Sequence, residues 1–169
     1  MFCELYEFSF TRRRRTLLLD RDNTLIKDEG YFHDADAILF LDTNFEYIEL
    51  LSRNDVAVFI ISNQSGIGRG IFDAQKAFLV NRKISEFWKK NNGQLHGAFF
   101  CPHKPELNCH CRKPQTAMLE AALAFSGSSR SESLFIGDSD SDFYAAKNAS
   151  IPFIRAQQNG ISELILDWI

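Results

Sequence analysis

The chain has 169 residues, 45% of them hydrophobic and 24% charged, and a net charge of −3. These values fit one globular domain with a sizeable core and exclude both a disordered composition and the basic excess of a nucleic-acid binder. No stretch approaches the ~20 apolar residues of a membrane-spanning helix, and no apolar core of signal-peptide length follows a basic start. The expectation is a cytoplasmic protein with no membrane or nucleic-acid partner, and a monomer, since neither a heptad nor a long apolar edge is visible.

Residues 1–14 form an N-terminal extension that ends in four arginines, Arg12–Arg15. The run is read as the solvated entrance to a strand, because short basic runs are weak motifs for anionic partners. Arg15–Leu19 is an apolar strand that stops at two carboxylates, Asp20 and Asp22. Asp42 and Thr43 can cap a helix running to about Arg53, with Phe45, Ile48 and Leu51 on one face. Val56–Ile61 is a β-branched run bounded by Asp55 and Ser62, hence a second strand. Asp73 caps a longer helix that ends near Asn91-Asn92-Gly93. Gln94–Phe100 is a third strand, followed by a loop rich in Cys, His and Pro. Thr116–Phe125 is helical and stops at Gly127. Ser133–Ile136 is a fourth strand, Asp142–Asn148 a short helix, Ile151–Ile154 a fifth strand, and Ile161–Trp168 a closing helix. Strand–helix alternation at this spacing predicts an α/β domain, a parallel sheet with helices on both faces. No linker divides the chain, so residues 1–169 are read as one domain.

Polar motifs fall at the ends of these strands. In a parallel sheet the C-terminal strand ends share one edge, where ligands bind. Asp20 and Asp22 close the first strand. Residues 62–70 (SNQSGIGRG) follow the second and offer a hydroxyl, amides, flexible glycines and the Arg69 cation, the parts of an anion-binding loop. Arg112-Lys113-Pro114 brings two cations just before a helix. Gly137-Asp138-Ser139-Asp140-Ser141-Asp142 places three acids after the fourth strand, as a hard cation requires. Acids for a divalent ion, together with a hydroxyl and cations for developing negative charge, suit phosphoryl transfer. Between these motifs, Cys101, His103, Cys109 and Cys111 give C-x-H-x5-C-x-C. Three thiolates and an imidazole make a closed tetrahedral set for structural zinc, with His110 able to replace a ligand.

In this order the motifs resemble those of the haloacid dehalogenase-like (HAD) phosphatases. Residues 20–24 (DRDNT) resemble the first motif, D-x-D-x-T; Ser62 matches the second, Lys113 the third, and Gly137-Asp138 with Asp142 the fourth. The zinc-binding loop, residues 101–111, is similar to that of the heptose-bisphosphate phosphatase and histidinol-phosphatase subgroup. SNQSGIGRG, Gly30-Tyr31, CPH and CRKP lie closer to the heptose enzymes. The resemblance covers about residues 16–155. It implies a three-layer Rossmann-like fold without a large cap, and a phosphoric monoester hydrolase acting on a small phosphorylated sugar. D-glycero-D-manno-heptose 1,7-bisphosphate is the leading candidate and histidinol phosphate the alternative. It further implies Asp20 as nucleophile, Asp22 as general acid and base, and Mg²⁺ held by Asp20, the Asp22 backbone carbonyl and Asp138. Ser62 and Lys113 bind the transferring phosphoryl group, Asn63, Arg69 and Arg112 contact phosphate or substrate, and Asp142 supports Asp138 or Lys113.

Three places along the chain depart from the pattern. Asn23 stands where Gly is usual, although Asn tolerates left-handed backbone. Ser139 replaces a lysine, and Gln115-Thr116-Ala117 replaces a Pro-Gly stretch. A competing expectation is a non-catalytic, zinc-stabilised binding module.

Overall fold

A computed structural model describes residues 1–6, 15–42, 45–156, 161–166 and 168. Arg12–Arg14 and Thr43 lie outside the described residues. Among the described residues six strands form one sheet: β1 (Phe2–Leu5), β2 (Thr16–Leu19), β3 (Ala57–Asn63), β4 (Gly97–Cys101), β5 (Ser133–Gly137) and β6 (Phe153–Arg155). Their spatial order is β1-β4-β3-β2-β5-β6, all parallel except β1, which pairs antiparallel with β4. The chain moves outward from β2 to one side through β3 and β4, then returns to the other side through β5 and β6. The reversal of direction lies at β2, so a crevice opens beyond its carboxyl end.

The helices are α1 (Glu46–Arg53), α2 (Ser65–Gly68), α3 (Ala74–Lys90), α4 (Ala117–Ser126), α5 (Asp140–Ala149) and α6 (Ser162–Leu166). Strand side chains alternate between faces, and the core divides accordingly. Leu17, Leu19, Val58, Ile60 and Ile136 pack against Ile48 and Leu51 of α1, Val80, Ile84 and Trp88 of α3, and Ile165 of α6. Leu18, Phe59, Ile61 and Phe135 pack on the opposite face against Met118, Leu119 and Ala122 of α4 and Ala145 and Ala146 of α5. This is the expected three-layer arrangement. Both faces of the central strands are covered, which is why these strands read as continuous apolar runs.

Several boundaries differ from the sequence expectations. The extension holds a strand, because β1 seals the edge of β4 through four residue pairs from Phe2↔Phe100 to Leu5↔Gly97. Asp42 does not cap α1, whose start at Phe45 has no side-chain cap. Its carboxylate accepts the N–H groups of Ile161 (3.0 Å) and Ser162 (3.3 Å) at the start of α6. Packing of the buried Tyr47, Ile48 and Leu51 holds α1, whereas the buried N–H of Ile161 needs an acceptor. The third strand starts at Gly97, where the paired register with β3 begins; just before it the His96 ring nitrogen accepts the Val58 N–H (3.0 Å). Helix α5 starts two residues early, at Asp140, behind a Ser139 cap.

Residues 23–42 leave the sheet and fold back as a short flap, paired through Lys27 N–H to Leu39 O (2.8 Å) and Leu41 N–H to Leu25 O (3.1 Å). Asn23 sits at φ +56° and its Oδ1 accepts the Asp28 N–H (3.0 Å), so the asparagine meets the left-handed requirement with a hydrogen bond of its own.

Candidate active site and metal-binding loop

Asp20, Ser62, Asn63 and Asp138 come from the carboxyl ends of β2, β3 and β5, and Lys113 follows the cysteine–histidine loop that leaves β4. Carboxylate oxygens of Asp20, Asp138 and Asp142 lie within 4.8 Å of one another. The Lys113 ammonium bridges two of these acids, at 2.5 Å from both Asp20 Oδ1 and Asp142 Oδ1, and also donates to the Ile61 carbonyl (2.8 Å). Lys113, Asp20 and Asp142 are all buried. Three carboxylates against one ammonium leave two negative charges in a site of low dielectric, the deficit that one divalent cation cancels. The same excess is visible in protonation. Burial, with Asp142 and Asp22 adding, pushes the Asp20 acid well above the usual carboxylate range against the opposing pull of Lys113. Burial and then Asp142 raise Asp138. At Lys113 the burial that favours the neutral amine is outweighed by Asp20 and Asp142, and the group is held more firmly protonated than an ordinary lysine.

Asp142 supports Lys113, as expected, and Ser139 supports Asp142. The Ser139 hydroxyl (2.6 Å) and N–H (3.0 Å) both donate to Asp142 Oδ2. The absent lysine at 139 is therefore replaced by a helix cap that fixes a buried acid. Gly137 is needed for the same approach: a Cβ there would sit 2.6 Å from the Asp142 carboxyl carbon. Arg155, which no sequence motif flags, donates to the Asp138 carbonyl (2.6 Å) and to Asp140 Oδ1 (2.7 Å).

The Asp22 side chain stands outside the carboxylate trio. Its Oδ1 accepts from Arg21 Nε (3.0 Å) and lies 2.9 Å from Arg21 Nη2. Its Oδ2 accepts from Gln64 Nε2 (2.7 Å) and, at 3.3 Å, from Ser62 Oγ. A cleft of about 260 Å³ opens beside Asp22, lined by Asp28, Gly30, Tyr31 and Phe32 of the flap and by Asn63, Gln64, Ser65 and Gly66. The other expected substrate contacts have protein partners. Asn63 Oδ1 accepts the Lys113 N–H (3.0 Å) and its Nδ2 donates to the Lys113 carbonyl (3.1 Å), so both ends of the amide clamp the Lys113 backbone. Arg69 pairs with Glu106 at 3.4 Å, and Arg112 donates to the His103 carbonyl at 3.4 Å.

In the loop, Cys101 Sγ lies 3.6 Å from His103 Nδ1, 3.5 Å from Cys109 Sγ and 3.3 Å from Cys111 Sγ. Cys111 Sγ lies 3.4 Å from His103 Nδ1 and 3.6 Å from Cys109 Sγ. Ligands about 2.0–2.3 Å from a tetrahedral zinc ion lie roughly 3.4–3.8 Å apart, so the four atoms fit such an ion. The separations are far beyond a disulfide bond. His110 is exposed and outside the set. Burial pushes the Cys101 thiol up to about 12, whereas at Cys109 the N–H groups of Cys111 and Arg112 overcome a desolvation penalty and lower it to about 6. The loop also leans on α2: Gly68 N–H donates to the Pro102 carbonyl (2.9 Å), and a Cβ at Gly68 would come within 2.6 Å of that oxygen.

A family model described as "Polynucleotide kinase 3 phosphatase" matches residues 15–158. The D-glycero-beta-D-manno-heptose-1,7-bisphosphate 7-phosphatase of Photorhabdus laumondii is 34% identical over 142 residues, 80% of this chain and 76% of that protein. The enzyme of the same name from Pasteurella multocida is 31% identical over 144 residues, 82% of this chain and 78% of that protein. The crystal structure of the D,D-heptose 1,7-bisphosphate phosphatase from B. bronchiseptica, complexed with magnesium and phosphate, superposes with a TM-score of 0.78 at 23% identity, over 92% of this chain and 99% of that one. With the motifs gathered on one sheet edge and these relatives beside them, the chain belongs to the HAD-like phosphatases, phosphoric monoester hydrolases, in the family of the heptose-bisphosphate phosphatases.

Proposed function

We propose that the protein hydrolyses the C7 phosphate of D-glycero-D-manno-heptose 1,7-bisphosphate and leaves heptose 1-phosphate. The carrying observation is the cluster of Asp20, Asp138 and Asp142 around the Lys113 ammonium, two positive charges short of balance, at the carboxyl end of β2. Relatives of this name at 31–34% identity support the substrate. Asp20 and Asp138, with the Asp22 backbone carbonyl, would hold Mg²⁺, which supplies charge neutralisation for the transferring phosphoryl group. Cys101, His103, Cys109 and Cys111 would hold Zn²⁺, which supplies only local folding.

The chain's own groups divide the work. Asp20 attacks phosphorus, the bond to the sugar oxygen breaks, and Asp22 gives that oxygen a proton. Water then attacks the aspartyl-phosphate, Asp22 takes its proton, and the electron pair returns to Asp20 as inorganic phosphate leaves. Lys113 and Ser62 hold the phosphoryl oxygens, with Lys113 kept in place by Asn63. The leaving sugar fits the cleft beside Asp22, where the flap supplies Asp28 and Tyr31. Arg69 and Arg112 would take the second phosphate, exchanging their contacts with Glu106 and the His103 carbonyl for it. The enzyme is taken as a cytoplasmic monomer; among the described residues no helix is long and apolar enough to cross a membrane.

Phosphate release from the heptose bisphosphate, histidinol phosphate and a 3′-phosphorylated oligonucleotide, each with Mg²⁺, tests the reading. The bisphosphate is expected to be hydrolysed best, and Asp20→Asn to lose at least about 10³-fold of that rate. Preference for either other ester refutes the substrate, and an unchanged rate in Asp20→Asn refutes the nucleophile.

A further inference from the structure

Arg21 is fully buried, between the two acids of the first motif, and none of the roles above uses it. Its guanidinium reaches three places at once. Nε donates to Asp22 Oδ1, and Nη2, 2.9 Å from the same oxygen as an ion pair, gives its two N–H groups to the Phe32 carbonyl of the flap (3.0 Å) and to Gln64 Oε1 (2.9 Å). Gln64 is buried too, and its amide is thereby oriented. With Oε1 taken by Arg21, Nε2 faces Asp22 Oδ2 (2.7 Å) and Ser62 Oγ (2.7 Å). The result is a closed ring, Arg21–Asp22–Gln64–Arg21, around one carboxylate.

The two oxygens of that carboxylate are unequal. Oδ1 accepts the Arg21 Nε–H and lies 2.9 Å from Nη2, so the guanidinium's positive charge stands directly against it and disfavours a proton there. Oδ2 has one strong donor, Gln64, and one long contact to Ser62 at 3.3 Å. That serine hydroxyl is the group expected to turn to a bound phosphoryl oxygen. When it does, a lone pair on Oδ2 is released, and Asp22 itself lines the cleft. Resting on the phosphatase reading, we infer that Arg21 and Gln64 are a positioning pair that holds Asp22 so that only Oδ2 carries the proton, first to the leaving oxygen and then from the hydrolytic water. The fork geometry matters: lysine offers one ammonium and cannot serve Asp22, Gln64 and Phe32 in one plane.

The pair acts through proton transfer, so its loss must depend on whether a proton is needed. In the first step an alkyl phosphate requires a proton on its leaving oxygen, and 4-nitrophenyl phosphate does not, because nitrophenolate departs as a stable anion. The second step needs the base with either ester. Gln64→Met keeps the volume and removes all three side-chain hydrogen bonds of Gln64; Arg21→Lys keeps the charge and removes the fork. Both are compared with wild type under Mg²⁺, with melting curves recording that each is folded. With a sugar phosphate, kcat is expected to fall about 10²-fold with KM changed by less than about 3-fold, the range of a general acid–base contribution. With 4-nitrophenyl phosphate, the first turnover is expected to stay within about 10-fold of wild type while the steady state falls, giving a burst near one nitrophenolate per enzyme as the aspartyl-phosphate accumulates.

Equal losses in first turnover with both esters overturn the inference, since they mark a general disturbance of the site. Wild-type rates in a folded Gln64→Met overturn it as well. A wild-type protein that releases phosphate from neither ester defeats the phosphatase reading itself, and the pair with it.

Discussion

Two clusters of ligating side chains stand at the same edge of the sheet, and they are built in opposite ways. Cys101 at the end of β4 and His103, Cys109 and Cys111 of the loop after it lie within eleven residues, their ligating atoms 3.3–3.6 Å apart in five pairs, so an ion there would be enclosed on every side. Asp20, Lys113, Asp138 and Asp142 come from four places in the chain, and their charges do not balance. The first arrangement leaves no position for substrate and serves to hold backbone. The second is left wanting positive charge on its open side, which is what a reaction site needs. Lys113 joins them: two residues after Cys111, it carries the loop's rigidity into the carboxylates.

If that division is right, damage to the loop is felt first as lost stability. Cys109→Ala is expected to release the metal and to lower stability by several kcal/mol, about 10 °C in melting temperature for a chain of this size. Metal content and calorimetry on the same sample check this, and an unchanged melt with a retained ion breaks the comparison. Gly137→Ala tests the carboxylate side. Its new Cβ meets a buried acid that cannot retreat, so a cost of about 1–3 kcal/mol is expected together with reduced phosphate release. A melt equal to wild type means that Asp142 moves more freely than its Ser139 and Lys113 bonds imply. The link between the clusters should show the smallest effect on folding. Asn63→Ala removes two hydrogen bonds to the Lys113 backbone, with an expected loss of about 1 kcal/mol and a fall in kcat of up to about 10-fold. If kcat is unchanged, Lys113 is placed by Asp20 and Asp142 alone.

The same contrast governs what the amino-acid sequence reveals. The thiol loop is legible because its ligands are close in sequence and few other uses gather three cysteines and a histidine so tightly. The carboxylates are legible at one remove, since each ends an apolar run and parallel strands align their ends. What is hidden is contact between distant side chains. Asn63 reads as a substrate contact, but the clamp on Lys113 spans fifty residues. Asp42 reads as a cap for the helix that follows it, yet the N–H groups it satisfies lie about 120 residues later. Arg21 and Gln64 give no periodic or spacing signal; a charged residue between two acids after a buried strand was the one available hint. The strand at Phe2–Leu5 is short and stands before a polar stretch, so nothing local separates it from a tail.

That first strand has a practical consequence. Because it runs antiparallel to β4, Phe2 pairs with Phe100, next to the first thiol ligand, and Leu5 lies at the far end against Gly97. Residue 2 therefore lies at the sheet edge that carries the thiolates, on the outermost strand and three strands from β2. An affinity tag fused ahead of it projects from the side of the metal-binding loop, and metal content of recombinant protein is best measured after its removal.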